Sequence, residues 1–518
     1  MPEIRIGKTV IETLTSGMYE DARFVYREYI QNAADQIDKA VELGILENRN
    51  EGKIHLSIDA KEKRIIIEDN ATGIKSDEFF SILANIALST KDRTKDKGFR
   101  GIGRLGGLGY CRKLIFETTY KGENVKSIMT WDADNLQQKL NDHKLDLDAA
   151  SVVNSVIKTD YETIDKDEHF FKVILENVSN SDLLCKNNIV EYLSMVAPVP
   201  YQPHFIFKNK IYDELKNEGL SIDEYYIFIN TDRLFKAYST TFYDLKGTQK
   251  YSYDDVFDIA SFKISNSENE IIAWGWVGLS KFDKQIPARG NIARGIRLRK
   301  GNIQIGSENT LVKLHKEQRG NFYFIGEVHG FHHELIPNSR RDYFNENSTS
   351  KLLDKKLKEI FHGKFYKLYH DANKLKNAVK KIDNYRELQE DYKEKVNNGN
   401  FSSKQQENIL KESLEKARTE AANKSKELNR FKEKAETDTT LSKIYEKIVK
   451  DETHNNVEDT PQIETNNGKT KYRTQKLSRL DRKQEKVVRR IFEIIDLMLP
   501  DLKDRGEELK QKIEEEFK

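Results

Sequence analysis

The chain has 518 residues, of which 37% are hydrophobic and 33% charged, and its 87 Lys and Arg nearly balance its 85 Asp and Glu. Roughly 150 residues per domain predicts two to four domains, and the near-neutral balance excludes a polyanion-binding protein recognisable by bulk charge alone. Two cysteines exclude a disulfide framework, and the lack of a long apolar run or a signal-like N-terminus predicts a cytoplasmic protein with no membrane span.

The first 180 residues mix helical and strand patterns. Apolar residues at helical spacing predict one long helix over Met18–Leu43 and a second over Asp77–Leu88. Only residues 60–63 separate the first two strand patterns, which should therefore form a hairpin. The predicted strands are Lys53–Asp59, Arg64–Asp69, Lys113–Tyr120 and Val125–Trp131.

The rest of the chain changes character near residue 350. Before that point strand patterns recur at Tyr225–Asn230, Glu270–Trp276, Ile296–Ile305 and Asn321–Val328. Residues 351–450 are rich in Lys, Glu, Asn and Gln, and they predict a long helical or coiled-coil arm that is interrupted near Asn397–Ser403. A polar, acidic stretch over 451–470 predicts disorder, and an apolar stripe over Val487–Met498 predicts a further helix that ends at Pro500.

The first helix carries a carboxylate and an amide that share one face. Glu28 and Asn32 are four residues apart, so they stack on the same side of the helix. The amide oxygen of Asn32 suits Mg²⁺, which prefers oxygen ligands, and the carboxylate of Glu28 suits a base that deprotonates a water. The plain alternative is an ordinary amphipathic helix with polar residues toward solvent.

An acidic turn follows the second strand. The apolar run Ile65–Ile67 leads into Asp69, and Gly73 closes the turn. Asp69 could accept a hydrogen bond from an exocyclic amine such as that of adenine, and Gly73 would let the backbone approach a ligand closely. The alternative is a common strand exit in which the aspartate caps the turn.

A glycine-rich run occupies 98–109, with six glycines in twelve residues. Such runs expose backbone N–H groups that bind phosphate. A flexible linker is the alternative, but apolar residues interleave with these glycines. The run has neither the Gly-Lys-Ser/Thr of a Walker loop nor the βαβ setting of a dinucleotide fingerprint.

These three elements, in this order, resemble the GHKL ATPase superfamily, which includes gyrase, histidine kinases, MutL and the ninety-kilodalton heat-shock chaperones. The chaperone-like branch is the most similar, because Glu28, Asn32 and Asp35 match its Glu-x-x-x-Asn-x-x-Asp helix. Ala71 stands where the family has the first glycine of its Asp-x-Gly-x-Gly motif, and we expect the turn to survive. The resemblance implies a nucleotide site formed by Asn32, Asp35, Asp69, Gly73, Ile74, Ser89, Thr90, Lys91, Gly101, Gly103, Gly106, Gly107 and Gly109.

The resemblance also implies a fold and a domain order. The expected fold is α+β, with a Bergerat-type α/β-sandwich ATPase domain, a βαβ transducer domain and a helical or coiled-coil C-terminal region. The expected ranges are 1–180 for ATP binding, 181–360 for the transducer, 361–450 for the arm, 451–474 for a disordered linker and 475–518 for C-terminal helices. The implied cofactors are ATP and Mg²⁺, with Asn32 as the metal ligand and Glu28 as the general base.

A basic residue of the transducer contacts the γ-phosphate in this superfamily. The segment Asn338-Ser339-Arg340-Arg341-Asp342 resembles the chaperones' Asn-x-Ser-Arg-Glu, which implies Arg341 as a catalytic residue. Arginine suits this role because its fork of donors matches phosphate oxygens. Arg340 and Lys300 are the alternatives, and two solvated surface arginines are the plain interpretation.

The sequence indicates the partners of the protein less directly than its nucleotide site. The resemblance implies an ATP-gated homodimer that acts on a protein client or an operon partner. The apolar stripe over Val487–Met498, within the 475–518 helices, is the candidate dimerisation element, although this region does not resemble the chaperones' usual dimerisation domain. The alternative is a nucleic-acid clamp, resembling MutL or microrchidia proteins, that binds through the basic stretches Arg289–Lys300 and Lys469–Arg490. A nucleotide-gated scaffold without hydrolysis is a third class, and the intact Glu28 argues against it. His329, His332, His333 and Glu334 are a weak candidate metal cluster.

Overall fold

The computed structural model describes residues 6–15, 21–86, 103–142, 147–452, 472–477, 479–499 and 502–517. The chain divides into two compact units, Met1–Tyr366 and Lys367–Lys518. The described part of the first unit mixes helices with strands, and that of the second is helical, so the protein is of the α+β class. None of the described helices is both long and apolar enough to span a bilayer.

The first unit alternates helices and strands along the chain. Its described helices are α1 (Thr9–Thr15), α2 (Phe24–Glu42), α3 (Phe79–Ala84), α4 (Ala133–Asn141), α5 (Ala149–Asn154), α6 (Ser181–Leu184), α7 (Lys186–Val196), α8 (Lys208–Asn217) and α9 (Ser348–Ile360). Its described strands are β1 (Lys53–Asp59), β2 (Arg64–Asp69), β3 (Lys113–Thr119), β4 (Val125–Asp132), β5 (Ile157–Thr163), β6 (Phe170–Glu176), β7 (Tyr226–Ile229), β8 (Asp232–Arg233), β9 (Thr241–Lys246), β10 (Gln249–Asp255), β11 (Asp258–Ser265), β12 (Ile271–Leu279), β13 (Gly295–Lys300), β14 (Ile303–Ile305) and β15 (Ile325–Gly330).

An eight-stranded sheet runs in the order β5-β4-β3-β6-β2-β1-β7-β8. Strand β1 buries every second residue, so one of its faces packs into the core and the other faces outward. Helix α2 supplies Ile30, Ala34 and Ile37 to the same core, and all three are at most 1% exposed. The catalytic candidates on α2 therefore rest on a rigid support.

The last two strands of this sheet come from much later in the chain than the others. β7 lies parallel to β1, with Lys53 opposite Tyr226 and Leu56 opposite Ile229, and β8 then forms the edge. The Asn230 side chain reinforces the join by accepting a hydrogen bond from Ile58 N at 2.9 Å. The segment after α8 thus completes the sheet that α2 covers.

A second sheet has the order β11-β12-β15-β13-β14. Its interior strands are buried on both faces, and β12 carries Trp274 and Trp276 into an aromatic core. Strands β13 and β15 are parallel, whereas β12 and β15 are antiparallel. A separate hairpin pairs β9 with β10.

A buried ionic cluster centres on Glu327 of β15. Its Oε2 accepts hydrogen bonds from Tyr201 Oη at 2.5 Å and Lys236 Nζ at 2.9 Å, and it lies 2.9 Å from His329 Nε2. Its Oε1 lies 2.5 Å from Arg299 Nε. Burial by itself raises the pKa of Glu327, but the charges of Arg299 and Lys236 hold that pKa well below its ordinary value.

The second unit contains long helices and shorter C-terminal ones. They are α10 (Tyr366–Asn398), whose first residue belongs to the first unit, α11 (Lys404–Thr437), α12 (Thr439–Glu452), α13 (Arg482–Met498) and α14 (Lys503–Phe517). Gly399, with φ +62°, ends α10, and the Ser403 hydroxyl caps α11 by accepting from Gln406 N. The interruption predicted near Asn397–Ser403 is confirmed.

Several predicted elements agree with the structure, but the strand predicted over Asn321–Val328 is only partly right, because Gln318–Tyr323 forms a 3₁₀ helix and β15 begins at Ile325. The hairpin of Lys53–Asp59 with Arg64–Asp69 is confirmed residue by residue. The single strand predicted over Ile296–Ile305 is wrong, because Gly301 and Asn302 both have positive φ and turn the chain into a hairpin of β13 and β14. The division at residues 180 and 360 stays a prediction.

Candidate functional site

Helix α2 places the three motif residues Glu28, Asn32 and Asp35 along one side. Glu28 and Asp35 are only 5% and 6% exposed, and Asn32 is half-buried. Spacings of four and three residues keep them on one face of the helix. The opposite face of α2 packs in the core. Other segments of the chain therefore cover these polar side chains.

The carboxylate of Glu28 faces two arginines. Its Oε1 lies 2.9 Å from Arg341 Nε and 3.5 Å from Arg27 Nη2. These are ion pairs without hydrogen-bond geometry, because Glu28 Oε1 has no hydrogen-bond partner among the described residues. A carboxylate oxygen that accepts no hydrogen bond keeps its lone pairs available, which is what a general base requires.

The Asp69 turn lies at the end of β2. Asp69 is 3% exposed, and its Oδ1 accepts a hydrogen bond from Ala71 N at 3.1 Å. Gly73 has φ +66°, and a Cβ at this position would lie 1.8 Å from the Thr119 carbonyl oxygen. Only glycine fits there, so the turn tolerates Ala71 in place of a glycine but not a side chain at Gly73.

Two threonines at the end of β3 join this turn, and the sequence analysis missed them. Thr118 Oγ1 accepts a hydrogen bond from Ile74 N at 2.9 Å and donates to the Phe170 carbonyl at 2.8 Å. Thr119 is 1% exposed, and its hydroxyl has no hydrogen-bond partner among the described residues. Asp69 and Thr118 both lie opposite Phe171 of β6, so they occupy one row of the sheet.

The end of the glycine-rich run packs directly on α2. It forms a 3₁₀ turn over Gly103–Gly109, where a Cβ at Gly103 would lie 2.3 Å from Glu28 Oε2 and one at Gly107 would lie 2.8 Å from Tyr29 Oη. The Tyr29 hydroxyl donates to the Arg104 carbonyl at 2.8 Å. Close approach to α2 thus explains part of the glycine content, beside the phosphate binding that the pattern predicts.

The remaining glycine-motif residues divide into two groups. Gly106 and Gly109 lie in the same 3₁₀ turn as Gly103 and Gly107. The predicted lid residues lie outside the part of the chain that the structure describes, and they are Ser89, Thr90, Lys91 and Gly101.

Arg341 reaches Glu28 from a loop that follows the second sheet. It has φ +54°, an unusual conformation for arginine, and its carbonyl accepts from Gly306 N at 2.8 Å. The side chain is 6% exposed, whereas Arg340 is exposed. Lys300 donates to the carbonyls of Phe331 and His332 and not to Glu28. The loop therefore presents Arg341, of the three candidates, to the face of α2.

The basic stretch Arg289–Lys300 is not a solvated cationic surface along β13. Arg297 is 5% exposed and Arg299 is fully buried. Arg297 Nη2 donates to the Ile292 carbonyl, and Arg299 Nη2 donates to the Met195 carbonyl, both at 2.6 Å. The expectation that this strand offers arginines to nucleic-acid phosphates is wrong for these two, because both faces of β13 are covered.

The second basic stretch, Lys469–Arg490, is described only from residue 472, with residue 478 left out. Its Arg473 is 9% exposed and pairs with Glu507 at 2.6 Å. The Arg489 guanidinium pairs with Glu485 at 2.6 Å. These arginines bind carboxylates of their own chain.

The histidine cluster does not form a metal site. No group of three or more His, Cys, Asp or Glu side chains with metal-binding geometry occurs among the described residues. His329 instead belongs to the Glu327 cluster, and burial lowers its pKa to about 4. His332 lies 3.4 Å from Glu270 at the surface.

Comparison with known families agrees with this geometry. Residues 20–163 match the family model described as "Histidine kinase-, DNA gyrase B-, and HSP90-like ATPase". The match begins just before α2 and ends with β5, so it includes Glu28, the Asp69 turn and the glycine-rich run. The chain therefore contains a GHKL-type ATPase domain.

The curated relatives that the chain resembles are chaperone proteins named HtpG. The chain is 27% identical over 142 residues to the chaperone protein HtpG of Helicobacter pylori (strain ATCC 700392 / 26695). It is 30% identical over 139 residues to HtpG of Psychromonas ingrahamii and 26% identical over 151 residues to HtpG of Rickettsia typhi. These alignments cover 24%, 24% and 26% of this chain, and the chain spans only 22%, 22% and 24% of those relatives.

Proposed function

We propose that the chain is a Mg²⁺-dependent ATPase that works as an ATP-gated dimeric clamp and remodels a protein client. The contact that carries the proposal is the buried pair of Glu28 and Arg341, 2.9 Å apart. It joins the helix of a GHKL-type domain to a loop that lies far beyond the 20–163 match. A base and a mobile guanidinium at one point are the two protein groups that phosphoryl transfer to water requires.

The residues around this pair fit ATP and Mg²⁺. The Thr119 hydroxyl, buried and without a hydrogen-bond partner among the described residues, suits a polar ligand beside Asp69. Asp69 would accept from the adenine amine, and the Asn32 amide oxygen would ligate Mg²⁺, which neutralises developing phosphate charge when bound. Backbone N–H groups near Gly103–Gly109 would bind phosphate oxygens.

The proposed reaction involves a proton transfer from water to Glu28 and a movement of the Arg341 guanidinium. Glu28 orients a water and takes its proton, because its Oε1 is free of hydrogen bonds. Arg341 exchanges the Glu28 carboxylate for phosphate oxygens, which releases the base and stabilises the charge that develops there. The observed ion pair is then a resting arrangement in which base and arginine neutralise each other.

The proposed dimer contact is an apolar face of α13. Val487, Ile491, Ile494 and Met498 are 59%, 40%, 47% and 71% exposed. Their spacing of four, three and four residues is that of a two-helix seam, and such a row of large apolar residues favours a partner. A second copy of the chain, offering the same row, fits this face.

Disrupting that row tests the dimer. We expect the double variant Ile491→Lys, Ile494→Lys to be monomeric by light scattering without nucleotide, because charges would be buried unpaired in the seam. Lys486→Ala, at an exposed position on the same helix, should leave the dimer intact. A double variant that remains dimeric would assign the contact to another part of the chain.

Between the two clamp classes, the structure gives more support to the chaperone-like one. The nucleic-acid alternative relied on basic stretches, and Arg297, Arg299 and Arg473 are buried on internal partners. The relatives are chaperones by name, although the alignment with the Helicobacter pylori protein covers only 24% of this chain. The cytoplasmic location stays a prediction from the sequence.

Steady-state ATP turnover tests the proposed function. The wild type should hydrolyse ATP, and Glu28→Ala should lower the rate roughly 10²- to 10⁴-fold, the usual contribution of a general base. Unfolded protein should stimulate the wild type, and duplex DNA should not. Stimulation by DNA alone would favour the nucleic-acid clamp, and turnover that is the same in Glu28→Ala would falsify the assignment of the base.

A further inference from the structure

A cavity of about 220 Å³ lies beside the Glu28–Arg341 pair. Its walls include Gln31 of α2, the β13–β14 turn at Lys300–Asn302, and Arg341 itself. Gln31 alone of the described α2 residues lines it, so the cavity is separate from the Asn32 and Asp69 side of the helix.

The cavity has more cationic than anionic groups. Lys300 and Arg341 line it. Among its described lining residues, Asp223 is the one that has a carboxylate side chain. Asp223 already pairs with Arg49 Nη1 at 2.8 Å, and Arg341 already pairs with Glu28 Oε1 at 2.9 Å. Lys300 donates only to carbonyl oxygens at 3.2 and 2.7 Å and has no carboxylate partner among the described residues. Burial lowers the pKa of Lys300 to about 8, a cost that a bound anion would offset.

Two acceptor oxygens in the lining also lack partners. Gln31 and Asn302 are each 2% exposed, and neither Gln31 Oε1 nor Asn302 Oδ1 has a hydrogen-bond partner among the described residues. Asn302 is fixed in place, because its Nδ2 donates to the Asp223 carbonyl at 2.7 Å. A buried acceptor left unsatisfied costs about 1–3 kcal/mol. Both oxygens are therefore suited to hydroxyl donors on a ligand.

We propose that this cavity binds a small hydroxyl-bearing anion. Its phosphate or carboxylate group accepts hydrogen bonds from Lys300 and Arg341, and its hydroxyls donate to Gln31 and Asn302. Because Arg341 also faces Glu28, the ligand holds the arginine in its resting position. Bound ligand then lowers ATP turnover, a consequence that rests on the proposed function. The coupling is reciprocal, so the nucleotide that draws Arg341 away weakens ligand binding.

Calorimetry on the full chain without nucleotide tests the site, with glycerol 3-phosphate and inorganic phosphate as probes. Glycerol 3-phosphate should bind more tightly than phosphate. Lys300→Met should weaken both probes roughly tenfold or more, as expected for loss of a charge-assisted bond. Lys313→Met, an exposed lysine outside the cavity lining, should bind like the wild type.

A second variant separates the two halves of the site. Gln31→Leu should bind phosphate normally but lose the preference for glycerol 3-phosphate, and it keeps the proposal testable where Lys300→Met fails to fold. Asp69→Asn should leave both affinities unchanged. Equal binding by Lys300→Met and Lys313→Met, or binding lost in Asp69→Asn, overturns the proposed site.

Turnover is measured separately, so that the two proposals fail separately. Probe binding without any Glu28-dependent turnover would remove the proposed ATPase and leave the cavity assignment standing. Glu28-dependent turnover that glycerol 3-phosphate does not slow, in a chain that binds the probe, overturns the coupling to Arg341.

Discussion

Glu28 and Glu327 are both buried carboxylates that face arginine, and their surroundings differ. Glu327 has hydrogen bonds from Tyr201 and Lys236, a close His329 and an Arg299 guanidinium at 2.5 Å. Glu28 has two guanidinium neighbours, and its Oε1 accepts no hydrogen bond from the described residues. Oε1 of Glu327 likewise has no hydrogen-bond partner among the described residues, so the difference lies at its Oε2, where several donors meet. A carboxylate oxygen bound by several donors stabilises a fold, whereas one that accepts no hydrogen bond remains available to react.

The largest expected effect is the difference in stability between two matched variants. Glu327→Gln removes the charge that compensates Arg299 and Lys236, and it should lower the free energy of unfolding by about 3 kcal/mol or more. Glu28→Gln also leaves two buried guanidiniums, those of Arg341 and Arg27, without their carboxylate. It removes no hydrogen bond to Oε1, so its loss should be smaller than that of Glu327→Gln. Urea denaturation of the two variants measures both values. Equal losses would mean that Glu28 is as structural as Glu327.

Acidification should lower the stability of the folded protein through His329, a member of the Glu327 cluster. The pKa of His329 is about 4 in the folded protein and about 6.5 when unfolded, so the unfolded chain takes up the proton first. Stability is full above pH 6.5 and falls as the pH drops toward 4. For this one histidine the loss at pH 5 is about 2 kcal/mol.

His329→Gln serves as the comparison for that pH effect. Glutamine keeps a donor near Glu327 but does not titrate, so the variant should lose less stability between pH 7 and pH 5 than the wild type. Thermal unfolding at both pH values measures this. A wild type and variant with parallel pH profiles would show that the pKa of His329 does not change on folding, which would contradict the prediction.

The smallest expected effect separates two adjacent arginines. Arg341→Ala should slow ATP turnover about tenfold or more while sparing ATP binding, since Arg341 faces Glu28 and its guanidinium suits the phosphate. Arg340→Ala should turn over at the wild-type rate, because that side chain is exposed. A slow Arg340→Ala with a normal Arg341→Ala would reverse the assignment.

Local periodicity was enough to predict the elements that carry the first site residues. The β1–β2 hairpin and the helix bearing Glu28 follow from alternating and helical patterns, which depend on neighbours in sequence. The approach of Arg341 does not, because it comes from a loop more than 300 positions later. The resemblance implied Arg341, whereas the residues alone left Arg340 and Lys300 open.

The misses share a physical cause. Arg297 and Arg299 alternate with apolar residues, which is the pattern of a strand with one solvated face, yet both faces of β13 are covered. Likewise, nothing in the β3 pattern distinguishes a threonine whose hydroxyl is buried near Asp69 from one that faces water. Burial of a polar group depends on partners distant in sequence, and a single strand pattern does not encode it.

The parallel pairing of β7 with β1 matters for any attempt to study the ATPase domain as a fragment. The family match ends at residue 163, but β1 has its outer neighbour only at Tyr226–Ile229. A fragment cut near residue 180 would turn β1 into a bare edge, with unpaired N–H and C=O groups that recruit other chains into aggregates. A fragment that keeps both β1 and its neighbour β7 paired must therefore extend at least to Arg233, the last residue of β8.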